Sequence, residues 1–593
     1  MIQKRKVLLL VVCFMMIGLI ASLISGCAGD GGNGGNGGGG DEPIYGGTLN
    51  VLVAADPTYW DDGIGPHYTT SGPYECLWSG DWGAGTAGGY GRESTEWIVV
   101  SNNLGDKIGY LAESYEIGSN YIIFHLRPGV KWHNKAPMKG KTVTADDVVY
   151  SLERQRTLDS AYLKKSYPLV AAAMTVTKVD ESTVRIDCAQ AQMAELLTLI
   201  DFMYIYPKDV IEAYGNMNDW ERAIGTAAFS IKSYVPGSTI DYVRNPDWWG
   251  TYPVLGSPCD GDELPYLDGY HVIIQPDFST QDALFTTGQV DLLLCDCIRA
   301  EALKDLPGVH YKTYYETANG RVIFMRLDKP DLPYQDKRVR QAMQLAIDGQ
   351  KLVDELYDGK GAVLYWPIWD TKEVADAYVS VSELGDDMIE VLPGETISVA
   401  DLFSQNVELA KELLAEAGYP DGFKAEILVY NGAFDLDSIQ AVKSMLAEVG
   451  IELTLKTVDY ATWTAQWALG TYNELLYGSW SGVATYFKGI NWSGTSMFNA
   501  SNVDDPVLNA YRDQMLATYP DEDAVQQIHA DMMPYLLEQC YGVQTVIAQF
   551  YVLWWDWLRN YNGEGGIGYY KGINPNRFAY IWVDEELKAS MGY

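Results

Sequence analysis

Cations are scarce in this chain: 42 Lys and Arg stand against 79 Asp and Glu over 593 residues, a formal net charge of −37 at pH 7. That balance excludes nucleic acid as a partner, because binding it needs a cationic, phosphate-neutralising surface. Cysteine is also sparse. With Cys13 in a leader and Cys27 at its end, the body keeps Cys76, Cys188, Cys259, Cys295, Cys297 and Cys540. Six thiols are too few for a disulfide-built scaffold, so buried thiols are expected, with one or two disulfides left open. Cys295 and Cys297 are spaced too tightly for structural zinc, and with six histidines in all no metal or other cofactor is expected. Catalytic motifs are lacking too. There is no H-E-x-x-H and no G-x-S-x-G, and the Gly140-Lys141-Thr142 ending of a phosphate loop has Lys135 where its first glycine belongs. Gly83, Gly85 and Gly88 match G-x-G-x-x-G without a strand before or a helix after, so they read as a glycine-rich loop.

What is present begins with a leader. Lys4, Arg5 and Lys6 precede an apolar run from Val7 to Ile24, the pattern of a secretory signal occupying 1–26. Ile24-Ser25-Gly26-Cys27 resembles the bacterial lipobox, in which a peptidase cuts before a cysteine that carries diacylglycerol. Residues 27–44 then read as a tether, since Gly29 to Glu42 holds nothing to bury and behaves as a coil reaching roughly 20 Å. Loss of the leader removes three cations and no acid, which takes the net charge to −40. No later stretch is apolar for long enough to span a bilayer, so a lipid-anchored, monomeric body outside the cytoplasm is expected.

Aromatic residues are abundant: 42 Tyr, 18 Trp and 14 Phe outnumber all the cations. Strand patterns fall at 47–55, 121–126, 183–186 and 269–274, and helical ones at 337–346, 407–417 and 438–449. Thr144 before Ala145-Asp146-Asp147 reads as a helix N-cap with acids in the first turn. Residues 421–458 read as a strand, helix, strand unit, and the class is mixed α/β.

The order of these elements carries a resemblance. Leu111-Ala112-Glu113-Ser114, Leu126-Arg127-Pro128-Gly129-Val130, Trp132-His133 and Ala145-Asp146-Asp147-Val148 resemble the signature of family 5 extracytoplasmic solute-binding proteins, the peptide and nickel binders of ABC importers. Further matches keep register: Tyr74-Glu75-x-Leu77, Ile224-Gly225-Thr226, Arg244-Asn245-Pro246-Asp247-Trp248-Trp249, Leu264-Pro265-Tyr266-Leu267-Asp268, Gly288-Gln289-Val290-Asp291, Val339-Arg340-Gln341-Ala342, and Ala410 to Phe423. The resemblance implies a two-lobed periplasmic-binding-protein clamshell of class II, cluster C. One lobe is discontinuous (45–73, 223–318 and 546–593), a subdomain is inserted at 74–222, and the second lobe spans 319–545. It also implies a non-enzymatic role, in which a solute, an oligopeptide first, is enclosed between the lobes and handed to an ABC permease driven by its ATPase.

By the same resemblance the ligand meets Tyr460 and Trp480 in the second lobe, with Trp60 and Tyr68 as candidates in the first; flat rings enclose a ligand at low entropic cost. Two departures stand out. Peptide binders follow that tryptophan with an aspartate that pairs with the peptide ammonium, and here Val483 occupies the place. The acidic segment Thr371 to Ala400 is longer than the family's usual connection. An oligosaccharide or other non-peptide solute therefore stays open, as do a secreted glycan-cleaving enzyme and a surface sensor.

Overall fold

The computed structural model describes residues 42–61, 63–64, 71–98, 103–315, 320–363, 376–468, 470–479, 499–568 and 575–593. Strand β1 (Thr48–Val53) buries Leu49 and Val51, after which the chain departs into a separate sheet before returning to complete its own. That separate sheet is β2 (Ala112–Ile117), β3 (Tyr121–Leu126), β4 (Thr175–Lys178) and β5 (Thr183–Asp187), in the antiparallel order β2-β3-β5-β4. In β3 the alternation expected of a one-sided strand puts Ile122, Phe124 and Leu126 inside.

Helix α1 (Ala145–Thr157) begins where the N-cap pattern places it. The Thr144 hydroxyl accepts from the Asp147 N–H, and the Asp147 carboxylate accepts from the Thr144 N–H at 2.9 Å. Such a capping box is worth about 1 kcal/mol. The chain then passes through α2 (Gln190–Leu199) and returns as β6 (Phe229–Val235), β7 (Thr239–Arg244) and β8 (Gly269–Ile274), giving the order β1-β8-β7-β6 with β1 and β8 parallel.

Glu75 lies at the seam between these two sheets. It is fully buried, and its Oε1 accepts from the indole nitrogens of Trp248 (2.9 Å) and Trp249 (3.2 Å). The Arg127 guanidinium lies 3.9 Å from the Trp249 ring. Burial nevertheless dominates and pushes the Glu75 carboxyl up from 4.5 to about 7, against those donors and Arg127.

Strands β9 (Leu292–Asp296) and β10 (Val309–Tyr315) precede the second α/β region. There β11 (Arg321–Met325) leads to α3 (Lys337–Leu345), β12 (Phe423–Tyr430), α4 (Ala433–Glu448), β13 (Ile451–Val458), α5 (Tyr460–Ala468), β14 (Leu475–Ser479), α6 (Pro506–Thr518), α7 (Glu522–Gln539) and β15 (Gly542–Gln544). The sheet order is β13-β12-β14-β11-β15, and β12, α4 and β13 form the expected parallel unit. Helix α4 starts at Ala433, earlier than its sequence pattern suggests, because its N-cap is Gly432, which offers no capping side chain. Strand β16 (Val546–Trp555) carries the chain back and pairs antiparallel with both β9 and β10.

Two crossings join the regions, at 315–321 and at 544–546, and the Thr545 N–H and hydroxyl both donate to the Arg321 carbonyl. Further contacts join the regions elsewhere. The Leu104 N–H donates to the Glu522 carboxylate at 2.8 Å, and α2 packs on α6, with Gln190 donating to the Ala517 carbonyl.

The six cysteines of the body are buried thiols, and no disulfide joins any among the described residues. Burial pushes Cys295 and Cys540 up to about 12, so they stay protonated and inert. Gly83, Gly85 and Gly88 fall in and beside two 3₁₀ turns, not a strand-to-helix turn. Within the acidic segment, Met388–Leu392 and Glu395–Ser398 form a hairpin. The stretch before it is held by His529, which burial keeps neutral by pushing it down to about 4 and whose Nδ1 donates to the Ala377 carbonyl.

Candidate functional site

In the sheet β13-β12-β14-β11-β15, strands β12, β13 and β14 are parallel while β11 runs opposite to β14 and β15. The carboxyl ends of β12, β13, β14 and β15 and the amino end of β11 therefore share one edge, the side of an open α/β sheet on which ligands sit. Tyr430 ends β12 and Tyr460 opens α5 directly after β13, their rings 5.4 Å apart and edge to face. From Tyr460 the rings continue inward at helical spacing through Trp463 (6.2 Å) to Trp467 (6.0 Å) in stacked array. The inner two are buried, and Trp463 donates its indole N–H to the Tyr477 carbonyl at 3.0 Å. A Cβ on Gly478 would lie 2.0 Å from the Trp463 ring, so this glycine is required for the ring to cross β14.

Tyr460, 62% exposed, is the outermost ring of this rail. Trp480 follows β14 immediately, and it, Val483, Tyr68 and Cys27 lie outside the described residues. Trp60 is 8% exposed and packs edge to face on Tyr234 at 4.9 Å, while its carbonyl accepts from the Tyr74 hydroxyl. The structure thus brings Tyr460 to the sheet edge at which β14 ends, and holds Trp60 in the interior of the first region.

Charge enters this edge through a pair that the sequence did not reveal. Arg321, the first residue of β11, is in register with Ser479, the residue before Trp480. Its Nε lies 2.9 Å from Oδ1 of Asp435, and its Nη2 donates to Oδ2 at 3.3 Å. Asp435 is in the first turn of α4, and burial pushes its carboxyl up although Arg321 opposes this. The two residues lie 114 positions apart, so no local pattern links them. Asp459, the neighbouring acid, is taken up by helix capping, accepting from the Thr462 N–H and hydroxyl. Among the described residues no cluster of His, Cys, Asp and Glu is arranged to hold a metal ion, and no helix is long and apolar enough to cross a membrane.

Residues 108–498 match the pattern of the family described as bacterial extracellular solute-binding proteins, family 5, middle region. Heme-binding protein A of Haemophilus influenzae is 26% identical over 396 residues, 63% of this chain and 65% of that protein. The dipeptide-binding protein of Escherichia coli K12 is 25% identical over 404 residues, 63% of this chain and 67% of its own. The chain thus spans about two thirds of the length of these relatives. Among solved structures, the ABC transporter-associated periplasmic binding protein DppA of Helicobacter pylori, in complex with the peptide STSA, superposes with a TM-score of 0.67 at 19% identity, covering 91% of this chain and 99% of that one. The fold is accordingly the two-lobed α/β fold of periplasmic binding proteins.

Proposed function

Since the chain belongs to the family 5 bacterial extracellular solute-binding proteins, we propose that it is the extracytoplasmic substrate-binding subunit of an ABC importer, capturing an oligopeptide between its lobes and delivering it to a membrane permease. The family match carries this reading. The exposed Tyr460 at the carboxyl edge of the sheet supports it, because such a surface encloses a solute without making or breaking a bond. In this reading residues 45–73, 223–318 and 546–593 form one lobe with 74–222 inserted, 319–545 form the other, and closure on the ligand is the state the permease receives. The protein acts as a monomer, held to the membrane by lipid on Cys27.

Titration calorimetry with a panel of short peptides is expected to give saturable binding that Trp480→Ala weakens at least about fivefold, since a well-placed aromatic anchor is worth more than about 1 kcal/mol. Unchanged affinity in the variant would remove Trp480 from the pocket. Labelling with a radioactive fatty acid is expected to mark the wild type and not Cys27→Ala, and equal labelling of both would refute the anchor. A second reading, a neutral or aromatic-stacking solute such as an oligosaccharide, is favoured by the absence of an acid after Trp480. A sugar panel in the same calorimeter separates the two.

A further inference from the structure

Among the described residues that form the ligand-side edge of the second lobe, Arg321 is the one cation. Its place follows from register, because the strand pairing sets Arg321 opposite Ser479, the last residue of β14. Its backbone is fixed by Thr545, which donates twice to its carbonyl, and its guanidinium is oriented by Asp435. The side chains are 12% and 10% exposed, so the pair is largely dry without being sealed from the edge.

A purely structural role explains this poorly. Tying α4 to β11 needs no charge, and a largely buried ion pair adds little stability over apolar residues of similar size. At a ligand-side edge the same arrangement has a use, since a guanidinium presents a rigid planar fork and pairs with carboxylates far more strongly in a dry site than in water. The acid that peptide binders carry after Trp480 is missing, and Asp459 is held in the cap of α5, accepting from the Thr462 N–H and hydroxyl. The protein as a whole is strongly negative, so an anionic ligand needs a local cation to be held at all.

We propose that Arg321, oriented by Asp435, receives a carboxylate of the solute, so that the preferred ligand meets the second lobe with an anionic end set beside the Tyr430 and Tyr460 rings. This inference rests on the solute-binding reading. Arg321 is then the residue that sets ligand charge, and Asp435 positions it.

The test uses tri- to pentapeptides, each prepared with a free C-terminal carboxylate and as the C-terminal amide, titrated into the full mature protein. The wild type is expected to prefer the acid over the amide by about tenfold or more, the worth of one charge-assisted hydrogen-bonded pair. Arg321→Gln is expected to abolish that preference while still binding the amide, and Arg321→Lys to keep part of it. Asp435→Asn is expected to weaken the preference without reversing it. Should Arg321→Gln fail to fold, as judged by its melting transition, Arg321→Lys and Asp435→Asn carry the test. Equal binding of acid and amide by the wild type, or an unchanged ratio in the Arg321 variants, overturns the assignment of Arg321 and leaves the solute-binding reading intact. Binding of neither form by the wild type overturns the peptide reading and this inference together.

Discussion

Glu75→Gln is expected to make the protein more stable than the wild type at pH 8 and to flatten the fall in stability between pH 5 and pH 8. The reason is the buried carboxyl at the seam of the first two sheets, pushed up from 4.5 to about 7. In the unfolded chain the group loses its proton near 4.5, whereas in the folded protein it holds it to about 7. Its contribution is therefore fully present below the unfolded value and is lost as pH rises through the folded one. Across that window the loss amounts to about 3 kcal/mol, taking 1.36 kcal/mol per pH unit. A neutral amide keeps an acceptor for the indoles of Trp248 and Trp249 and removes the ionisation. Urea denaturation of both proteins at pH 5 and pH 8 decides the matter, and parallel pH dependences would show that Glu75 ionises freely.

Trp463→Ala is expected to cost about 3 to 5 kcal/mol, the range for removing a large buried aromatic. The ring fills the space above Gly478, donates to the Tyr477 carbonyl, and stands between Tyr460 and Trp467. Trp463→Phe keeps most of the packing and loses the hydrogen bond, at about 1 to 2 kcal/mol. Denaturation midpoints at constant slope measure both. If the alanine variant lost less than about 1 kcal/mol, α5 would have to repack over β14, and Tyr460 would no longer owe its position to this stack.

Elements with a local signature could be read from the sequence. The capping box of Thr144 and Asp147 and the alternation in 121–126 each involve residues within a few positions of one another and stand where that pattern puts them, and the strand, helix, strand run of 421–458 is continuous in sequence and forms as read apart from its helix start. The start of α4 was hidden because Gly432 carries no side chain with which to announce a cap. The position of Tyr460 agrees with the family order, since it is the first residue of a helix at the carboxyl edge. Trp60 is packed on Tyr234, a contact 174 residues away that no sequence window contains. Arg321 and Asp435, 114 positions apart, pair in the same non-local way. A pair formed by strand order is invisible until the order of strands is known.

Besides the two passages of the chain, the regions meet through the Leu104–Glu522 bond, the Gln190–Ala517 bond and the packing of α2 on α6. In the proposed function, in which the lobes part, the Leu104 amide and the Glu522 carboxylate would return to water and recover most of what they gave up, so that this one bond contributes about 1 kcal/mol net. On that reading this bond alone gives a several-fold bias toward the shut form, to which the packing of α2 on α6 adds.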